Sequence, residues 1–136
     1  MDAEQQDLTG EKAVMANQEH IALLEQGNRI WRKWRKNHPD VMPDLRGAEL
    51  EKIDLDGMDL HGADLREANL RFARLRGANL RNANLAGADM READVRYADL
   101  TDAVLPKADL RSTDFRKSVL ETVDLSGANL DGAYLC

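Results

Sequence analysis

The sequence is short of several residues that small domains usually lean on. Its single cysteine, Cys136, allows no disulfide within the 136-residue chain, and a reducing compartment is expected. Aromatic residues make up only 4% although 43% of the chain is hydrophobic, so the core must pack without many large rings. No apolar run approaches the ~20 residues that span a bilayer, and membrane insertion is not expected. The stretch 1–10 is polar, lacks the charged-then-apolar order of a signal peptide, and reads as a flexible N-terminus. An excess of positive charge is missing too. The 25 acidic residues outnumber 19 basic ones and leave −6 at neutral pH, which disfavours direct binding to nucleic acid. A cytoplasmic protein is the expectation.

Catalytic signatures are absent as well. His20, His38 and His61 are widely spaced and lack partners at metal-ligand intervals. There is no phosphate loop and no nucleophile motif. No catalytic residue, cofactor or metal is therefore assigned, and an enzyme is not expected.

What is present is a period of five. Every multiple of five from Leu45 to Leu135 is apolar: sixteen Leu plus Met90, Val95 and Phe115. The residue two before this centre is Ala in thirteen of nineteen cases, and the residue between them is Asp, Asn or Glu in fifteen. Arg74, Val104, Val119 and Tyr134 break the second rule. All seven glycines after residue 42 fall two places after a centre. On an α-helix five residues rotate the stripe by roughly 140°, which scatters the leucines around the axis. On a continuous strand an odd period flips each centre to the opposite face. The chain must therefore bend once per repeat, with glycine at the second corner place supplying the positive φ of a type II turn. Pro106 suits the first place of the same turn.

Strings such as Ala63-Asp64-Leu65-Arg66-Glu67 and Ala78-Asn79-Leu80-Arg81-Asn82 resemble the pentapeptide-repeat proteins, over residues 43–136. The resemblance implies an all-β solenoid, a right-handed quadrilateral β-helix with one pentapeptide per side and four per coil. Nineteen repeats then make between four and five coils.

Ahead of the array, residues 11–36 read as a helix that Gly27 weakens and can split in two. With its linker, 11–42 forms the second unit, ended by Pro39 and Pro43. Ile21, Leu24, Trp31 and Trp34 form one apolar stripe. The segment resembles the helical stretch that precedes many bacterial arrays of this family, and it is expected to cap the first coil, covering Leu45, Leu50 and Leu55. Arg29, Arg32, Lys33, Arg35 and Lys36 are read as a solvated face rather than an anion or membrane patch.

Folding the chain four repeats to a coil stacks residues twenty apart. Arg71, Arg91 and Arg111 form one column, and Arg76, Arg96 and Arg116 form another. Like charges at about 4.8 Å repel, so these arginines should lean on Asp89, Asp94, Asp109 and Asp114 in a self-compensating lattice. The columns are also the possible interaction surface for an acidic partner. Asp59, Asp99, Asp102 and Glu121, opposed only by Arg81, mark the most acidic side. The four sides sum to about −1, −2, +1 and −3.

Two functions follow as expectations. The first is a non-enzymatic protein-interaction scaffold whose partner the sequence does not name. The alternative, implied by the resemblance, is a DNA-mimicking protein that binds DNA gyrase, inhibiting or protecting it; the mixed charge of the sides departs from that pattern. A tail-to-tail homodimer is expected through the last coil, using Leu120, Leu125, Leu130 and Leu135, with Val119 and Tyr134 at the rim.

Overall fold

The computed structural model describes residues 16–136. The flexible start expected at 1–10 and the opening of the expected helix at 11–15 lie outside the described residues. From Asp44 onward the backbone corners once every five residues. At each corner the small residue donates its N–H to the preceding centre, as in Ala68 N to Leu65 O at 3.1 Å and Ala88 N to Leu85 O at 3.0 Å. The second corner residue has positive φ throughout, and the first never does. With the three-residue hydrogen bond, that combination is a type II turn. The sequence tied this conformation to glycine, yet eleven non-glycine residues adopt it, with φ of 60° at Phe72 and 63° at Tyr97.

Each corner aims the next three residues along a new side, and the coils stack through the residue between the small place and the centre. Asp64 donates its N–H to Pro43 O at 2.9 Å and accepts from Leu45 N at 2.8 Å. Parallel bridges join residues twenty apart, from Asp44 with Asp64 to Asp114 with Tyr134. Four pentapeptides therefore close one coil. We name the sides by their bridged columns: the first through Asp44 and Asp64, the second through Glu49 and Asn69, the third through Asp54 and Arg74, the fourth through Asp59 and Asn79.

The bore explains the composition. Leu65, Leu85 and Leu105 share one wall at 0% exposure, and Ala63, Ala83 and Ala103 before them are equally buried. A bore this narrow takes few rings; Phe115 is the one aromatic among the buried centres. Thr113 replaces an alanine without leaving a polar group unpaired, since its Oγ1 donates to Met90 O at 2.7 Å.

The N-terminal segment forms two helices, α1 (Gln18–Glu25) and α2 (Asn28–Asn37). Within the described residues α1 begins at Gln18, where the Asn17 side chain caps it by accepting from Glu19 N and His20 N. Gly27, at φ 99°, separates the two helices. Leu24 and Trp31 are buried, and Ile21 and Trp34 pack partly buried against the same core. Leu45, Leu50 and Leu55 below them are no more than 2% exposed.

Polar contacts dock the helices on the first coil. Trp31 Nε1 donates to Asp59 O at 2.8 Å. Asn17 N donates to Asp44 O, and Asp44 N donates to His20 Nδ1, both at 2.9 Å. One basic residue departs from the solvated face expected of all five: Arg35 is 5% exposed, donating to Asp59 O and His61 O at 3.1 and 2.9 Å. It lies one helical turn beyond Trp31 and so shares its inward face. Arg29, Arg32, Lys33 and Lys36 are exposed.

Two predictions test this architecture. At Gly77 (φ 67°) an added Cβ meets nothing within 4 Å, so Gly77→Ala isolates the left-handed backbone penalty. It should lower the unfolding free energy by about 1 kcal/mol in urea titration. His20 accepts from Asp44 N only when Nδ1 is unprotonated; burial lowers its pKa, opposed by Asp44 and Glu19. The lowered folded value means its contribution is complete above the ordinary histidine value of about 6.5 and is lost as pH falls below it. The urea midpoint of wild type should decline over that range, and His20→Gln should flatten the decline.

Candidate functional site

The four outer walls carry the groups available for recognition, and their first feature serves the backbone. The Asp or Asn between small place and centre turns its Oδ1 onto the N–H two residues later, as in Asn84 to Ala86 N at 3.1 Å and Asp99 to Thr101 N at 3.0 Å. This Asx turn satisfies a corner N–H that the stacking leaves outward. Two of the exceptions meet the need another way. Where Arg74 fills the place, Asp56 of the coil below accepts from Arg76 N at 2.9 Å. Where Val104 fills it, the corner residue is Pro106, which has no N–H to satisfy. The sequence showed the acidic position but not this use of it.

The same carboxylates hold the arginine columns. On the second side Arg91 grips Asp89, with Nε to Oδ1 at 2.9 Å and Nη2 to Oδ2 at 2.6 Å, and Arg111 grips Asp109 the same way. On the third side Arg96 holds Asp94 and Arg116 holds Asp114. Two of the four pairs also lean on the next coil, with Arg96 Nε 3.7 Å from Asp114 Oδ2 and Arg91 Nε 3.5 Å from Asp109 Oδ2. Arg76 links Asp56 at 3.1 Å to Asp94 at 3.8 Å. These bidentate hydrogen bonds hold Asp89, Asp94, Asp109 and Asp114 below the usual carboxylate range, against a smaller opposing effect of burial.

Arg71 differs from its column. The residue two places before it is Asn69 rather than Asp, and Asn69 Oδ1 takes only the Arg71 N–H. Arg71 Nε is buried without a hydrogen-bond partner, and the guanidinium lies 5.8 Å from the Phe72 ring centroid.

The acidic fourth side is less bare than expected. Arg81 Nη1 pairs with Asp99 at 3.2 Å, and the Thr122 hydroxyl donates to Asp102. Asp59 meets His61 Nδ1 at 2.8 Å. Burial raises the pKa of Asp59, but hydrogen bonds from His61 and the charge of Arg35 outweigh that and leave it lowered. Glu121 is exposed. In the last coil Leu120, Leu125 and Leu130 are partly buried, while Val119, Tyr134 and Leu135 are 43%, 56% and 49% exposed. Tyr134 lies over Arg116, 5.4 Å from its guanidinium. Among the described residues no three His, Cys, Asp or Glu side chains are grouped to hold a metal ion.

Comparison with known proteins finds the same repeat. A family model of eight pentapeptide repeats matches residues 44–82, 68–106, 83–121 and 105–136. A pentapeptide repeat protein from the cyanobacterium Cyanothece 51142 is 28% identical over 61% of this chain and 60% of its own, with a TM-score of 0.36. One from the Arabidopsis thaliana thylakoid lumen is 32% identical over 66% and 63%, with a TM-score of 0.35. One from Nostoc is 31% identical over 65% and 81%, with a TM-score of 0.28. The chain spans less than two thirds of the length of the first two. No curated protein matches it.

The ladder predicts an acid-sensitive rod. A carboxylate whose folded pKa is depressed stabilises the fold above its ordinary value of about 4, and that contribution is lost as pH falls through the depressed value. Wild type should lose stability steeply below about pH 4. The Asp94→Asn/Asp114→Asn variant should start lower at neutral pH and lose less on acidification, measured by urea midpoints across the range.

Proposed function

Because the chain belongs to the pentapeptide-repeat family, we propose that it is a non-enzymatic scaffold presenting its side walls to a protein partner. In this reading the rod is a right-handed quadrilateral β-helix of between four and five coils, capped by its helices and working in the reducing cytoplasm. The observation that carries the proposal is the double engagement of the wall carboxylates. Asp89, Asp94, Asp109 and Asp114 each close an Asx turn and grip an arginine. Groups tied in this way neither shuttle protons near neutral pH nor rearrange around a substrate. They make a stiff, patterned surface, and stiffness lowers the entropy lost when a partner docks.

Gyrase binding by DNA mimicry is less well supported. Imitating duplex DNA takes a row of uncompensated negative charge, about one per 1.7 Å of helix axis. On the second and third sides Asp56, Asp89, Asp94, Asp109 and Asp114 are each neutralised by an arginine beside them, which breaks up any such row. Ten of the 25 acidic residues are there as acceptors of the corner N–H two places later.

The test is affinity capture of tagged protein from lysate of the source cell, with untagged protein as competitor. A protein partner retained and then competed away is expected; capture that competition never displaces would count against the scaffold. In a parallel supercoiling assay, micromolar protein should leave DNA gyrase unchanged, and inhibition there would favour the DNA-mimic reading.

A further inference from the structure

The third side differs from the others in charge and in apolar exposure. Four carboxylates (Asp54, Asp56, Asp94, Asp114) face five cations (Arg74, Arg76, Arg96, Arg116, Lys117), which makes it the one side with net positive charge on a chain of −6. Its edges collect the exposed rings. Phe72, at the corner that leads into it, is 38% exposed; Tyr97, at the corner that leaves it, is 65% exposed; Tyr134, on the side itself, is 56% exposed. These three are the exposed aromatic residues among the described residues.

Two of the rings stand where the backbone resists them. Phe72 and Tyr97 occupy second corner places at φ 60° and 63°, a region that penalises any Cβ and bulky residues most. Gly57 and Gly77 fill the places stacked below Tyr97, and Asn82 adopts the same φ of 60° elsewhere, so the turn itself does not ask for a ring. Neither ring belongs to the core. Strain kept at an exposed site with no return to the fold is a mark of a surface used for something else.

We propose that the third side, with the corner Arg71-Phe72 that leads into it, is the docking face of the scaffold, and that its partner is an acidic protein segment carrying an apolar side chain. The proposal rests on the scaffold reading above and assigns its face. Charge selects the partner class: the side is net positive, and among the described residues Arg71 makes no ion pair and leaves its Nε without a hydrogen-bond partner. Arg96 and Arg116 hold their aspartates through Nε and Nη2, leaving their Nη1 donors without a protein partner among the described residues. Arginine beside Tyr and Phe is the composition of protein-interface hot spots. A nucleic acid fits less well: with Arg74, Arg76, Arg96 and Arg116 paired to Asp56, Asp94 and Asp114 the side keeps a net charge of only +1. That suits a short acidic segment with an apolar anchor and not a continuous row of phosphates, whose affinity scales with the number of cations they meet. A second copy of this face would meet like net charge.

The experiment is selection from a phage-displayed random peptide library against the full chain, followed by fluorescence anisotropy with a labelled enriched peptide. Enriched sequences should be rich in Asp and Glu around an apolar residue. Binding should weaken at least about tenfold in Arg71→Glu and in Phe72→Asn/Tyr97→Asn. The melting temperature of the double variant should stay at or above that of wild type, because asparagine suits the left-handed corner; a purely structural role would lower it. Enriched peptides that bind the variants as tightly as wild type would overturn the face and leave the scaffold standing. An enrichment without acidic bias, no enrichment, a double variant that melts lower, or labelled single-stranded DNA binding the same face more tightly would each overturn the proposal.

Discussion

Each corner of the rod is held by one short-range hydrogen bond, from the small residue's N–H back to the preceding centre, and that bond requires left-handed backbone at the second corner place. From it the period follows: three residues of side, two of corner. The residue between small place and centre then has its N–H and C=O aligned with the rod axis, and stacking twenty residues on pairs both. Leucine at the centre and alanine before it fill the bore that results. Because each coil touches only its neighbours, the hydrophobic burial accumulates linearly along the rod rather than about a single centre.

The same corner accounts for the charge. An outward N–H at the first corner place favours a short side-chain acceptor two residues earlier, and Asp or Asn supplies it. An arginine at that first corner place then folds back onto the aspartate, as Arg66 does on Asp64. Much of the acidity and much of the arginine content are thus products of turn chemistry. A net charge of −6 would otherwise invite a reading in terms of partners, and here it says more about how each corner is closed.

The period, the bend and the interior were legible from Leu45 onward because five-residue spacing contradicts every regular element and demands a bend per repeat; the four sides to a coil came only with the family resemblance. The split at Gly27 was legible for a similar reason. Arg35 was not. In a run of five cations its charge outweighed its position one turn after Trp31, and only the packed helix shows the guanidinium turned onto the carbonyls of Asp59 and His61. The left-handed corners without glycine were hidden as well, since nothing local marks Phe72 or Tyr97 for positive φ; the stacked coils above and below impose it. Arg71 was hidden in a column with Arg91 and Arg111, and one residue, Asn69 in place of an aspartate, separates it from them.

In an array built on repetition, what every repeat shares describes the scaffold, so particular recognition must come from departures that the scaffold does not explain. Val104 departs, but Pro106 removes the N–H that an aspartate would serve. Arg74 departs, and Asp56 takes over its role. Thr113 departs from alanine and is satisfied inside the bore. These exceptions are absorbed by their neighbours and need no partner. Phe72 and Tyr97 are not absorbed: they strain the corner, add nothing to the core, and expose rings to water. Arg71, beside Phe72, makes no ion pair among the described residues. Three unexplained departures at the two edges of the least acidic wall are a stronger indication of a docking site than any column of repeated charge.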